Sequence, residues 1–337
     1  MSDAEASRVA AQEDGDAEGD GRSPGGVAIV GAGSIGVAWA LVFARAGRSV
    51  ALHDPDPARL AASAGELDER LAELVAHGLL DEDPAAVAGR VRREADLDDA
   101  LRGAVHVQEC APEDRDLKRR IFGDLDARTG PDVVLASSSS FLPASAFADD
   151  LPGRARCLVA HPGNPPYLLP VVELVPAPFT DDAVVDRAHA LMASAGMSPV
   201  VVRREVEGFV FNRLQGALLR EAYCLVRDGV ASVEDVDRVV RDGLGRRWSV
   251  IGPFETVDLN TRGGIAAHAE RMGPSYARQG AERGQDDPWT PELVADVAAQ
   301  RAAAMDGTTW DERVAWRDRA LMALQAARPE RGLRRAQ

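Results

Sequence analysis

The chain has 337 residues, of which 45% are hydrophobic and 28% charged, and its formal net charge is -15 with a pI near 4.9. This balance is typical of a folded globular protein and argues against a chain that is mostly disordered or membrane-embedded, and the length suits about two domains. The strong negative charge argues against a nucleic-acid partner, because phosphate binding needs an electropositive surface.

The first predicted strands and helices follow an acidic N-terminal segment. Residues 1–25 are rich in Ala, Gly and Ser and lack hydrophobic periodicity, so we predict a disordered tail. From Val27 onward short apolar runs alternate with helical stretches, which is typical of a parallel sheet flanked by helices. The predicted strands are Val27-Val30, Ser49-His53, Val105-Glu109, Val133-Ala136, Cys157-Ala160 and Val171-Val175, and the helices predicted between them include Leu60-Leu80 and Asp114-Asp126.

After Glu207-Gly208 the pattern becomes helical throughout. The predicted helices are Phe209-Arg227, Val233-Asp242, Pro253-Arg271 and further helix from Pro291 to Ala327, with a loop at Gly273-Asp287. We therefore predict an α/β domain over residues 26–207 and an all-helical domain over residues 208–330.

A glycine loop, Gly31-Ala-Gly33-Ser-Ile-Gly36, separates the first strand from an apolar helix, Ile35-Ala46. Gly31 permits a tight turn, Gly33 lets a pyrophosphate approach the backbone, and Gly36 lets helix and strand pack closely. The N-terminus of this helix supplies free NH groups and a dipole that favour a phosphate. Such a motif alone also occurs in ordinary turns, but its position between strand and helix favours a dinucleotide site.

Asp54 ends the second predicted strand 23 residues after Gly31 (54 - 31), close to the roughly 20 residues expected for a ribose-binding carboxylate. Its charge would repel a 2'-phosphate, which favours NAD over NADP, although Arg59 nearby leaves NADP open. The alternative is a turn aspartate before Pro55. With the glycine loop, Asp54 predicts a Rossmann-type doubly wound, mostly parallel sheet that binds NAD.

A histidine and an amide end the strand at Cys157-Ala160, in the segment His161-Pro-Gly-Asn164-Pro. Glu173 follows twelve residues later, within the apolar run Val171-Val175. A carboxylate in so apolar a strand needs a partner, because unpaired burial is costly. A His161-Glu173 pair would provide it and would orient a general base. The alternative is a core histidine and an unrelated edge-strand glutamate.

Several motifs resemble the 3-hydroxyacyl-CoA dehydrogenase family in order and spacing: Ser137-Ser-Ser-Ser140, His161-Pro-Gly-Asn164-Pro, Val172-Glu173-Leu and Gly208-Phe-Val-Phe-Asn212-Arg213. Others resemble its L-gulonate 3-dehydrogenase, or lambda-crystallin, branch: His106-Val-Gln-Glu-Cys-Ala-Pro-Glu113, Gly243-Leu-Gly and Ile251-Gly-Pro-Phe-Glu255. The resemblance runs from about Val27 through the 260s. Gly163 and the absence of a threonine from the serine run depart from the family pattern, without removing a catalytic group.

The resemblance implies an NAD-dependent dehydrogenase in which His161 takes the proton of the substrate hydroxyl and Glu173 steadies it. Ser140 and Asn212 would hold the reacting oxygen. The family also implies a homodimer formed through the helical domain.

The resemblance further places Ser34 and Ile35 at the pyrophosphate loop. It places Asn164 beside the nicotinamide, and Glu113 and Lys118 at the nicotinamide-side ribose. Composition supports this, because Lys118 is the only lysine among 39 basic residues and the chain has only three asparagines, two of which are Asn164 and Asn212. A lysine kept among arginines indicates a site that needs a compact ammonium.

The substrate is predicted from Arg247-Trp248, because an arginine beside an aromatic residue suits a free carboxylate. We expect a small 3-hydroxy acid, with L-gulonate, oxidised to 3-dehydro-L-gulonate, as the first candidate. The alternatives are 3-hydroxybutyryl-CoA, L-carnitine, a non-catalytic NAD-binding protein like a lens crystallin, and a surface role for Arg247.

No bound metal and no membrane segment are expected. The three cysteines are far apart, form no CxxC pair and suggest thiols in a reducing compartment, and no run of about 18 apolar residues occurs. No basic segment leads into an apolar run at the N-terminus. We therefore expect a cytoplasmic protein.

Overall fold

The computed structural model of the chain describes residues 25–284, 290–305, 307–310, 312, 313 and 316. The predicted tail over residues 1–25 lies outside the described residues except for its last position, as does most of the predicted helix beyond residue 310. The chain divides into two compact units between Leu218 and Leu219. The domain limits 26–207 and 208–330 stay a prediction.

The first unit contains one sheet, whose strands in the described part of the chain are β1 (Gly26–Val30), β2 (Val50–His53), β3 (Val91–Glu94), β4 (Ala104–Glu109), β5 (Val134–Ser137), β6 (Cys157–Pro162), β7 (Val171–Pro176) and β8 (Ser198–Val201). Their order is β3-β2-β1-β4-β5-β6-β7-β8. Only β6 and β7 pair antiparallel. This order confirms the predicted Rossmann-type, mostly parallel sheet.

Two strands, β3 and β8, are absent from the sequence-based prediction. They lie at the two edges of the sheet, and their sequences Val-Arg-Arg-Glu and Ser-Pro-Val-Val are largely exposed or half-buried. An edge strand with few buried side chains carries no apolar run for the sequence pattern to reveal.

The helices of this unit cover both faces of the sheet: α1 (Ser34–Arg45), α2 (Pro57–Ala76), α3 (Pro84–Ala88), α4 (Leu97–Leu101), α5 (Arg115–Arg128) and α6 (Asp182–Ser194). Alternation along β1 sends Val27 and Ile29 into a core shared with α1 and α6, and Ala28 into a second core that contains Phe122 of α5. Nine consecutive residues of α1, from Gly36 to Ala44, are buried. This burial fixes the helix that follows the glycine loop.

The remaining helices are α7 (Phe211–Arg227), α8 (Val233–Val239), α9 (Gly245–Trp248), α10 (Pro253–Asn260), α11 (Gly264–Glu282) and α12 (Pro291–Ala304), with a π-helical turn at Val240–Leu244. The second unit is thus helical where it is described, which confirms the predicted all-helical class. None of the helices in the described ranges has the length and apolar character needed to cross a membrane.

Two predictions for the second unit are wrong. The helix predicted over Pro253-Arg271 is broken before α11, where Gly263 and Gly264 adopt positive φ values of 97° and 67°. The loop predicted from Gly273 is helical as far as Glu282, because α11 continues through Pro274. Pro274 lies on the exposed side, as does Glu270 four residues earlier, so water can reach the carbonyl that proline leaves unbonded.

Candidate active site

The glycine loop has the geometry that a dinucleotide requires. Gly31 has a φ of 108°, and a Cβ there would lie 2.9 Å from the carbonyl of Cys110. A Cβ on Gly36 would lie 1.8 Å from the Gly31 oxygen, whereas one on Gly33 would meet nothing within 4 Å. Gly31 and Gly36 are therefore needed for packing, and Gly33 borders open space. The N-cap residue of α1 is Gly33, which has no side chain to cap the helix, so the first turn is available to a phosphate.

Ser34, in the first turn of α1, is held by an arginine that sequence reasoning missed. The guanidinium of Arg70 on α2 donates to both the carbonyl and the hydroxyl oxygen of Ser34, at 2.9 Å each. It also lies 5.7 Å from the centre of the Tyr167 ring. Arg70 and Ser34 are 36 positions apart in the sequence, which explains why no local pattern links them.

Asp54 is fixed at the carboxyl end of β2. Its Oδ2 accepts a hydrogen bond from the backbone NH of Ala32 at 2.8 Å, and its Oδ1 accepts one from Asp56 at 2.9 Å. Arg59, which could have supported a 2'-phosphate, instead forms an ion pair of 2.9 Å with Glu66. The arrangement favours a cofactor with a free ribose.

We expect Asp54→Ala to weaken NADH binding by about 10- to 100-fold, because hydrogen bonds to a charged group contribute about 1.5–3 kcal/mol. The preference for NADH over NADPH should narrow, since the repelling charge is lost. Fluorescence titration with both cofactors measures the two affinities. Arg59→Ala is the control and should leave both affinities within about twofold; a wild-type protein that binds NADPH more tightly would contradict the role of Asp54.

His161 and Glu173 are direct partners across the antiparallel β6–β7 pair. Residues opposite each other on such strands carry side chains on the same face, and here His161 Nδ1 lies 2.8 Å from Glu173 Oε2. Both side chains are buried. A carboxylate only accepts hydrogen bonds, so the neutral imidazole carries its proton on Nδ1 and leaves Nε2 able to accept another. The two residues thus form a buried, oriented base.

The second oxygen of Glu173 holds the beginning of α7. Glu173 Oε1 accepts hydrogen bonds from the backbone NH groups of Val210 at 2.7 Å and Phe211 at 2.9 Å. The chain reaches this point through Phe209, a fully buried residue with a positive φ of 49°, whose ring centre lies 5.7 Å from that of His161. One carboxylate therefore orients the base and anchors the next helix.

That helix brings Asn212 to the serine run. Asn212 Nδ2 donates to the backbone carbonyl of Ser140 at 3.1 Å. Ser140 and Asn212 are both half-buried, which leaves each partly accessible. The bonds from His161 through Glu173 and α7 to Ser140 connect the four predicted catalytic residues.

The comparisons with known proteins agree with this arrangement. Residues 26–206 match the 3-hydroxyacyl-CoA dehydrogenase NAD binding domain, and residues 208–308 match the C-terminal domain. The chain belongs to the 3-hydroxyacyl-CoA dehydrogenase family. The family, NAD as cofactor and an NAD-dependent dehydrogenase are thus confirmed as predicted.

Several known proteins are similar to this chain over most of their length. The lambda-crystallin homolog of Bos taurus is 42% identical over 315 residues, covering 90% of this chain and 95% of that protein. The L-carnitine dehydrogenase of Streptomyces griseus is 39% identical, covering 88% of each chain. Among solved structures, an NAD-dependent 5-formyl-3-hydroxy-2-methylpyridine 4-carboxylic acid 5-dehydrogenase has a TM-score of 0.69 at 29% identity, covering 89% of this chain and 97% of that one. The predicted lambda-crystallin branch is confirmed.

Glu113 binds the loop that carries Ser140. Its Oε1 accepts hydrogen bonds from the Ser139 hydroxyl at 2.6 Å and from the NH groups of Phe141 at 3.0 Å and Leu142 at 2.9 Å, and its Oε2 accepts one from the Ser140 NH at 3.3 Å. Partial desolvation raises the pKa of Glu113, but the hydrogen bonds outweigh it and lower that pKa overall. The predicted contact between Glu113 and the cofactor ribose stays a prediction.

Lys118 is buried, with 1% of its side chain exposed, and pairs with Glu109. Its Nζ lies 2.9 Å and 3.0 Å from the two carboxylate oxygens and 3.3 Å from the Ser137 hydroxyl. A compact ammonium fits between the Glu109 carboxylate and the Ser137 hydroxyl. This contact explains in structural terms why the only lysine of the chain stands at this position. Its predicted contact with the cofactor ribose also stays a prediction.

Asn164 and Arg247 complete the predicted set. Asn164 is exposed after β6 and precedes a cis peptide bond to Pro165. Arg247 lies on α9 of the second unit, and its Nε is buried without a hydrogen-bond partner among the described residues. A buried donor without a partner is unfavourable unless a ligand or water supplies the acceptor.

Proposed function

We propose that the protein oxidises the 3-hydroxyl of a small, free hydroxy acid with NAD, and that L-gulonate, giving 3-dehydro-L-gulonate, is its substrate. The observation that carries the proposal is the 2.8 Å bond between His161 Nδ1 and Glu173, which leaves Nε2 of a buried imidazole as a proton acceptor. Hydroxyl oxidation needs such a base.

In the proposed mechanism His161 Nε2 accepts the hydroxyl proton while the C–O bond becomes a carbonyl. Glu173 stabilises the imidazolium that forms. Ser140 and Asn212 hold the reacting oxygen and offset its developing charge. NAD, held by the glycine loop and Asp54, would supply the acceptor for the hydride that leaves the same carbon. In the reverse direction His161 returns the proton.

A free acid is favoured by the chemistry of Arg247 and by the named substrates of two relatives. A guanidinium binds a carboxylate through two parallel hydrogen bonds. One relative is named for L-carnitine and the similar solved structure for a pyridine carboxylic acid, and neither name mentions a CoA ester. We propose that Arg247, with its unpartnered buried Nε among the described residues, binds the substrate carboxylate.

We expect Arg247→Gln to raise the KM for the hydroxy acid by about 10- to 100-fold, because a bond to a charged group contributes about 1.5–3 kcal/mol. The Kd for NADH should not change. Initial rates over a range of acid concentrations measure the KM. The control is Arg246→Gln on the same helix, and an equal KM in both variants and the wild type would support a surface role for Arg247.

Side-by-side assays with L-gulonate, L-carnitine and 3-hydroxybutyryl-CoA, followed by NADH absorbance, test the proposed function. We expect the highest kcat/KM with L-gulonate. A preference for L-carnitine would keep the class of small acids and replace the substrate. Exclusive use of the CoA ester would reject a free acid, and NADH binding without turnover of any 3-hydroxy acid would favour a non-catalytic protein.

We also propose a homodimer formed through α7. Leu219, Tyr223 and Val226 follow each other at helical spacing, and their exposed fractions are 46%, 76% and 36%. Apolar side chains in one exposed row mark an interaction surface. Light scattering should give twice the mass of the chain for the wild type and a smaller mass for Tyr223→Glu.

The cytoplasm stays the predicted compartment of the protein. Cys110, Cys157 and Cys224 are free thiols, which is the state expected for cysteines in a reducing compartment.

A further inference from the structure

A buried polar network lies on β4, whose motif His106-Val-Gln-Glu-Cys110 has no role in the mechanism above. His106 and Gln108 are fully buried, and alternation along the strand places their side chains on the same face. Buried polar groups are costly unless they are hydrogen-bonded, so their partners show what the network holds together.

Both the nitrogen and the oxygen of the Gln108 amide make hydrogen bonds in this network. Its Nε2 donates to the Ser138 hydroxyl at 2.7 Å and to the Ala160 carbonyl at 3.2 Å, and its Oε1 lies 3.0 Å from His106 Nε2. Burial lowers the pKa of His106 to about 4, so the imidazole is neutral and must carry its proton on Nε2 to donate to Oε1. His106 therefore fixes the orientation of the Gln108 amide.

Ser138 is the second centre of the network. Its hydroxyl oxygen accepts from Trp39 Nε1 at 3.1 Å and from Gln108, and it lies 3.3 Å from Cys110 Sγ. Burial raises the pKa of Cys110 to about 12, so the thiol stays protonated. These contacts join α1, β4 and the serine run two residues before Ser140.

The contact with Ala160 is made just beyond the ladder that joins β5 to β6. The last paired residues are Ser137 and Val159, so Ala160 has no partner on β5. Gln108 reaches across from β4 and supplies the donor instead. Ala160 directly precedes His161, and the same amide holds Ser138.

We propose that Gln108 is a positioning residue that sets the separation between His161 on β6 and the loop that carries Ser140. The inference rests on the proposed function, because it assigns Gln108 to the geometry of that same reaction. Gln108 does not touch the reacting atoms; it acts through the backbone at Ala160 and through Ser138.

The test is Gln108→Met, which keeps the length and bulk of the side chain and removes the amide. We expect kcat to fall by about 10- to 100-fold, since a misplacement of about 1 Å at a reacting group costs roughly 100-fold. The Kd for NADH and the KM for the hydroxy acid should change less than about twofold. The primary deuterium isotope effect on kcat should rise, because hydride transfer becomes slower. Ser138→Ala, which keeps the bond to Ala160, should give a smaller loss of kcat.

The control is Ser63→Ala, because Ser63 is also fully buried and hydrogen-bonded but lies on α2. If both variants lower the Tm equally and Gln108→Met keeps the wild-type kcat and isotope effect, Gln108 is only structural and the proposal is overturned. A second readout, which needs no turnover, is the NMR resonance of the proton in the hydrogen bond from His161 Nδ1 to Glu173. This resonance is assigned by its absence from the spectrum of His161→Ala. We expect Gln108→Met to shift this resonance and Ser63→Ala to leave it; an unshifted resonance also overturns the proposal. A wild-type protein that turns over none of the three substrates rejects the proposed function separately.

Discussion

His161→Ala should lower kcat by about 10²- to 10⁴-fold, the range that a positioned general base contributes. The variant loses the proton acceptor that Glu173 orients through a 2.8 Å bond. The glycine loop and Asp54 are untouched, so the Kd for NADH should stay within about twofold of the wild-type value. Stopped assays with large amounts of enzyme measure the residual kcat, and fluorescence titration measures the Kd.

The control for this variant is His189→Ala, because His189 is an exposed histidine on α6. It should keep wild-type kcat. If His161→Ala retains more than about a tenth of the activity while its NADH affinity is normal, His161 is not the base.

Substitutions of Glu173 should separate its two roles. In Glu173→Gln the side-chain oxygen can still accept from Val210 and Phe211, but the amide NH₂ then faces His161 Nδ1 and drives the imidazole proton onto Nε2. We expect kcat to fall by about 10²- to 10⁴-fold with little change in stability, because the base holds the wrong tautomer. Glu173→Ala should lose a similar factor in kcat and also about 2–4 kcal/mol in the free energy of unfolding, since two partly buried NH groups lose their acceptor.

Urea unfolding and steady-state kinetics on the same preparations distinguish these outcomes. A Glu173→Gln variant with wild-type kcat would show that the tautomer of His161 does not matter. Equal unfolding free energies for Glu173→Gln and Glu173→Ala would show that the bonds to Val210 and Phe211 do not hold α7.

The inner strands of the sheet and the pairing of His161 with Glu173 could be predicted because the signals are local. A strand buried on both faces is a continuous apolar run, and a carboxylate inside such a run must find a partner. The separation of twelve positions between His161 and Glu173 allows the chain to return antiparallel and places the two side chains opposite each other. The glycine loop was visible for the same reason, since strand, loop and helix are contiguous.

Other parts of the site depend on contacts that no local pattern contains. Arg70 meets Ser34 across 36 residues, and Gln108 meets Ala160 across 52 residues. Lys118 stands out in the sequence as the only lysine, but its pairing with Glu109 depends on how α5 packs against β4. The loop predicted from Gly273 to Asp287 is helical as far as Glu282, because α11 continues through Pro274.

The most direct test of the proposed reaction follows the hydrogen on the carbon that is oxidised. The protein is incubated with NAD and L-gulonate deuterated at C3, and the reduced cofactor is analysed by mass spectrometry. We predict that the reduced cofactor carries one deuterium and that NADH formation is slower than with unlabelled L-gulonate. Reduced cofactor without deuterium, formed at the unlabelled rate, would contradict oxidation at the 3-hydroxyl.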